Sequence, residues 1–191
     1  MAKKRTIART VKKKKKKWYK VISPPEFKGT VIGETPAVEA SEVKGRVFKI
    51  NLSSLTNDLK KQNIVISFKV ADVSQSEVKT ETIKYELNNV HVKRLVRRGK
   101  EKIDDSFIIE TKDKVKARVK PLLLTRGKTQ NSVITALRLE AREFIKKEAM
   151  KKNFSELLMS VVQTDIQKRL KKELKTIYPI SISEIRVLNK I

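Results

Sequence analysis

No cysteine occurs in this 191-residue chain, which excludes disulfides, thiolate catalysis and cysteine-ligated metals together. His91 is the single histidine, so neither a histidine-centred triad nor a histidine metal cluster can be assembled. Its place between Val90 and Val92 suits an ordinary boundary residue. Five scattered glycines form no Gly-x-Gly-x-x-Gly and no phosphate loop. Acids are scarce as well, 21 against 46 Lys plus Arg. The only adjacent acidic pair is Asp104–Asp105, which reads as a turn or a local counterion for Lys100 and Lys102. The chain is therefore expected to be no enzyme, with no metal and no cofactor. Apolar runs are short too. No stretch approaches the ~18 residues of a membrane span, no apolar segment follows the basic start as in a secretory signal, and Ala2 stands where myristoylation needs glycine. A soluble cytoplasmic protein with no membrane partner is the expectation.

What the chain has in excess is positive charge, a formal +25. The first twenty residues hold eleven cations and no Asp or Glu, including the unbroken run Lys12, Lys13, Lys14, Lys15, Lys16 and Lys17. Such a segment cannot bury enough apolar surface to offset the entropy of its own ordering, and its charges repel one another. A polyanion would order it, with Trp18 and Tyr19 as stacking groups where it meets the body. Without these twenty residues, 35 cations still face 21 acids, so the body is basic in its own right.

The pattern along the chain predicts an α+β fold, with a basic arm over 1–20, a β-rich core over 21–128 and a helical part over 129–191. Val21 to Phe27 reads as an extended lead-in that Pro24 and Pro25 keep out of the helical region. Residues 28–45 are turn-rich, with one short strand or helical turn at most. Three period-two runs follow: Phe48, Ile50 and Leu52, then Ile64 to Ala71, then Glu81 to Leu87. Asn88–Asn89 caps a short helix with Val92, Leu95 and Val96 inward, and Gly99 ends it. Phe107 to Glu110 is a further strand. Steps of three and four predict helices from about Ser132 to Lys152, then along Leu158, Val161, Val162, Ile166, Leu170, Leu174 and Ile177. Asn153 with Glu156 caps the second run, and a second capping box, Thr164 with Gln167, predicts a break near Gln163. A returning strand closes the chain, with a bulge where the alternation changes phase between Glu184 and Ile185.

Two further cationic groups stand out in the body. Lys112, Lys114, Lys116, Arg118 and Lys120 occupy alternate positions, so in one strand they share a face opposite Val115, Ala117 and Val119. Arg126 and Lys128 close that segment. Arg94, Arg97, Arg98, Lys100 and Lys102 form the other group. Cations on separate elements suit broad contact with folded RNA rather than one helix in one groove. No helix-turn-helix, zinc finger or RNA-recognition signature is present. A free RNA- or DNA-binding chaperone with non-specific backbone contacts fits the same composition.

Several segments in order resemble a known family: Lys16-Lys-Trp-Tyr-Lys-Val with Pro25 and Phe27, Gly45-Arg-Val with Leu52 and Leu55, Leu95-Val-Arg-Arg before Lys102-Ile-Asp, Thr111-Lys-Asp, and Ile177-Tyr-Pro-Ile. Over nearly the whole chain they resemble the archaeal and eukaryotic small-subunit ribosomal proteins called S-three-A-e. The resemblance implies a β-barrel-like mixed-sheet core with two to three carboxyl-terminal helices. It implies a basic arm from Lys12 to Trp18 on small-subunit rRNA, with a body contact at Arg97, Arg98 and Lys102. It also implies a place on the subunit platform near the mRNA exit, beside neighbouring ribosomal proteins, mRNA and initiation factors. Lys114 departs from the family, in which glycine is common there. The end at Ile191, without the long eukaryotic tail, suits the archaeal type.

Overall fold

Strand β1 (Lys17–Ile22) alternates Trp18 and Lys20 outward with Tyr19 and Val21 inward, the period-two pattern of a half-buried strand. The computed structural model to which it belongs describes residues 15–74 and 77–191. Lys12, Lys13 and Lys14 of the expected arm lie outside the described residues, and β1 takes in the last residues assigned to that arm. β2 (Val31–Ala37) pairs antiparallel with β1 at the rim of the sheet, where Pro36 removes no ladder bond that a neighbour needs.

β3 (Val47–Asn51), β4 (Ile64–Val73) and β5 (Glu77–Leu87) form an antiparallel meander. The run Phe48, Ile50 and Leu52 ends as a strand at Asn51, and Leu52 opens a one-turn helix, α1 (Leu52–Thr56), because Asn51 Oδ1 accepts from the Ser53 amide. α2 (Asn89–Leu95) starts as expected, with Asn88 accepting from Val90 N. It ends at Leu95, short of Gly99, and Val96 is exposed rather than inward. β6 (Lys102–Asp104) and β7 (Phe107–Glu110) precede β8 (Lys116–Thr125). Helices α3 (Asn131–Lys151), α4 (Phe154–Val162) and α5 (Asp165–Leu174) lead to β9 (Ile180–Lys190). The predicted cap of α4 forms, Glu156 accepting from Asn153 N. The second box does not: Thr164 has φ 63 and its side chain caps nothing, while Gln167 Nε2 donates to Val161 O.

The result is α+β, with nine strands among the described residues in one mixed sheet that stays open rather than closing into a barrel. β5 has β4 along one edge; its other edge is shared by parallel β1 at Glu77–Lys79 and antiparallel β9 at Lys84–Glu86. β8 repeats the device, with β9 along one edge, β7 and β6 dividing the other. Pro121 lies where β7 has ended and β6 has not begun, and where the β9 register shifts. A residue without an N–H fits only at such a gap. The shift skips Arg186, close to the expected bulge.

The main core lies between the sheet and the helices. Leu137, Ala141 and Ile145 of α3, Leu158 and Val161 of α4 and Leu170 of α5 meet Ile103, Val119 and Leu188. Each fully buried aliphatic side chain contributes about 1.5–3 kcal/mol of transfer free energy. Glu148 ties α3 to α5 through Arg169 Nη2 at 2.9 Å, and Arg142 grips Asp105 at 2.8 and 3.0 Å while its guanidinium lies over Phe107. A second, smaller cluster joins Tyr19, Val21 and Ala37 to Val43, Val70 and Val78.

Lys112 and Lys114 do not continue β8. They belong to the turn after β7, in which Lys114 N donates to Thr111 O and Lys114 has φ 60. The left-handed region strains a side chain with a Cβ. Lys114→Gly is expected to stabilise the protein by about 0.5–1 kcal/mol, a rise in Tm of roughly 1–3 °C. A calorimetric scan checks it. Burial raises the pKa of Glu184 above its usual 4.5. The folded chain therefore holds that proton more tightly than the unfolded one, and stability falls as pH rises from about 4.5 through the raised value. Glu184→Gln should be the more stable protein at pH 7 and lose that slope, as urea midpoints between pH 4 and 8 would reveal.

Candidate nucleic-acid interface

With carboxylates in short supply, where they go decides which cations stay available. Asp104 takes Lys102, and also Arg186 at 3.6 Å; Asp105 takes Arg142; Glu148 takes Lys151 and Arg169; Glu81 takes Lys190. Several of these pairs join elements distant in sequence, so the acids serve mainly to hold the fold. Of the cations named from the sequence, Lys102 alone is spent in a salt bridge among the described residues. Arg94, Arg97, Arg98, Lys112, Lys114, Lys116, Arg118, Arg126 and Lys128 are all exposed, and none has a carboxylate within ion-pair reach there. Each keeps its hydration and its full field for an outside anion.

One end of the β8–β9 ladder gathers three loops. Glu101 N donates to Thr125 Oγ1 at 2.8 Å and Thr125 N to Glu101 O at 3.0 Å. Arg126 N reaches Pro179 O at 3.0 Å, and Tyr178 Oη reaches Lys128 O at 3.3 Å. These bonds bring the segment after α2, the segment after β8 and the segment before β9 to one place. Gly99, at φ 83, supplies the reversal in the first. Arg97, Arg98, Arg126 and Lys128 thus occupy one rim. Lys100 is half-buried, its Nζ donating to Ser181 Oγ at 2.9 Å. Lys171 of α5 joins from beneath, donating to Ser181 O at 2.7 Å. No sequence signal marked Lys171, because only the fold brings α5 to this loop.

The other end of β8, about 30 Å away at 3.4 Å per residue, carries the rest. The expected five-cation strand face is corrected to three: Lys116, Arg118 and Lys120 on β8, with Lys112 and Lys114 in the turn before it. Ladder register extends this face sideways. Ile108, Arg118, Asn189, Lys84, Ser67 and Lys49 stand opposite one another in one row across β7, β8, β9, β5, β4 and β3. Lys84 is held by Glu86 at 2.6 Å, and Ile108 is 51% exposed. That Lys49 stands in the same row as Arg118, four strands away, could not be read from sequence because register is a tertiary property.

The aromatic pair divides. Trp18 is 64% exposed beside Lys17 and Lys20, open to stack on a base. Tyr19, expected to stack beside it, is 5% exposed in the smaller core cluster. Alternation of Tyr19 and Val21 with Trp18 and Lys20 was the signal that could have assigned it. Lys15, Lys16 and Lys17 are exposed. Among the described residues no three His, Asp or Glu side chains converge as a metal site would require, and no helix there is long and apolar enough to cross a membrane.

Comparison with known proteins finds that the model of the Ribosomal S3Ae family matches residues 3–190. Small ribosomal subunit protein eS1 of Archaeoglobus fulgidus is 36% identical over 189 residues, 97% of this chain and 90% of that protein. The proteins of the same name from Haloarcula marismortui and Nanoarchaeum equitans are 33% and 32% identical, covering 90% and 91% of this chain and 80% and 87% of theirs.

The two aromatics should separate in a paired test. Trp18→Ala is expected to weaken single-stranded RNA binding by about 1–3 kcal/mol, the range for one stacked base, with almost no change in Tm. Tyr19→Ala should destabilise the fold by about 3–5 kcal/mol, as for a buried aromatic. Fluorescence anisotropy with a labelled oligoribonucleotide and thermal melts of both variants decide it.

Proposed function

The chain belongs to the Ribosomal S3Ae family, and from that premise we propose that it is a structural, non-enzymatic component of the small ribosomal subunit in the cytoplasm. It binds small-subunit rRNA on the platform near the mRNA exit and supports translation there. Neighbouring ribosomal proteins, mRNA and initiation factors are its further contacts. The observation that carries this reading is the distribution of exposed cations lacking carboxylate partners. They sit on the β8 face, on the turn before it, on the rim of three loops at its far end and beside Trp18. Charges dispersed over separate elements engage phosphates at many points of a folded RNA, which positions the protein without reading bases. The arm from Lys12 to Trp18 and the body contact at Arg97 and Arg98 supply this grip. Lys102, neutralised by Asp104, adds less.

Sedimentation of a cell lysate on sucrose gradients tests the assignment. Fractions are probed for this protein at low salt and again at about 0.5 M, where phosphate contacts weaken steeply. Co-migration with small subunits that survives high salt is the expected result. Release to the top of the gradient would assign it instead to free nucleic-acid binding.

A further inference from the structure

Between the turn at Leu59–Lys61, the ends of β5 and α2, and the α4–α5 junction lies a cleft of about 450 Å³. Its volume falls in the range of small-ligand sites, roughly 300–1,000 Å³. Ile64, Leu87 and Val162 give it apolar walls, and Tyr85, His91 and Glu184 line it as well. Tyr85 is only 1% exposed and Glu184 half-buried, and neither the hydroxyl nor the carboxylate has a hydrogen-bond partner among the described residues. Polar groups that line a cleft without a protein partner are open to a ligand that can pair with them. Lys60 and Lys61 stand at the mouth. Lys60 is exposed, and Lys61 lies 4.0 Å from Asp58.

We propose that this cleft receives one unstacked, amino-bearing nucleobase of RNA, guanine before the others, with its phosphate on Lys60 and Lys61. The chemistry is complementary at both ends. Glu184 accepts from adjacent ring and exocyclic N–H groups on the Watson–Crick edge, two of which guanine alone presents side by side. Tyr85, whose phenol burial holds well above its usual pKa, stays a neutral donor for the base carbonyl. Unpaired bases of folded RNA are read on this edge once splayed from the stack. Lysines at the mouth disfavour a cationic peptide side chain and favour a phosphate.

The proposal rests on the RNA-binding reading above, so its test separates the two. The full chain is titrated with GMP, CMP, AMP, UMP and inorganic phosphate, followed by amide and imidazole NMR shifts. Saturable shifts around Tyr85, His91 and Thr164 are expected with GMP, and at least about fivefold weaker binding with UMP, which lacks the exocyclic amine. Glu184→Gln should lower GMP affinity about tenfold without lowering Tm, and Tyr85→Phe several-fold, as loss of a buried hydrogen bond does. Equal affinity for GMP and UMP, identical shifts from phosphate alone, or indifference to Glu184→Gln would overturn it. So would tighter occupation by an arginine- or lysine-bearing peptide. Binding of poly(U) by the same samples reports separately on the charged surface, which stands or falls independently of the cleft.

Discussion

Strand β8 pairs with β9 from Ala117 opposite Lys190 to Thr125 opposite Ile180, and most of the molecule is fastened to that ladder. Its inner side chains, Val119, Leu123, Ile185 and Leu188, are floor to the three long helices. Its free edge receives β7 and β6 in turn, and its partner strand hands the sheet on to β5. Because Thr125 closes the ladder with bonds to Glu101 and to Gly127 O at 2.6 Å, the loops beyond it are anchored rather than free. The ladder therefore sets the spacing of the cationic rim and the cationic face, at opposite ends of one strand.

Charge is partitioned around this frame in a consistent way. Carboxylates are placed where an ion pair crosses between elements, as in Asp105 with Arg142 and Glu148 with Arg169. The bidentate grip of Arg142 on Asp105 and the burial of Glu148 make these pairs more effective than isolated surface bridges, which are worth about 0–1 kcal/mol. Most of the remaining lysines and arginines have no carboxylate partner among the described residues, and their mutual repulsion opposes compaction. A polyanionic surface relieves that repulsion, so the same excess that weakens the isolated protein strengthens its complex. Membership of a ribosomal family is consistent with that balance.

How much could be read beforehand varies by element. Helices α3 and α4 were legible because their apolar positions recur at three and four and the Asn153–Glu156 cap is local. The meander was legible through alternation. β1 and β2 were not: β1 is short and was divided between the basic arm and the extended lead-in, Gly33 and Pro36 obscure β2, and β1 is held by pairing with the start of β5. The Lys112 to Lys120 alternation overran its strand, because a left-handed Lys114 breaks the geometry without breaking the sequence pattern. The Thr164–Gln167 motif had the right residues, but the backbone at Thr164 turned left-handed and sent Gln167 elsewhere.

Local chemistry determined, from the chain alone, the α+β class, the main helices, the polyanion-seeking charge and the family likeness. Those properties depend on composition, periodicity and residues near in sequence. The tertiary structure decided which cations remain unpaired, which aromatic faces out, and which distant residues share a row. It also placed Glu184 and Tyr85 in one cleft with Lys60. Strand register and loop convergence arise from hydrogen bonds between residues tens of positions apart, and no local pattern encodes the outcome of that pairing.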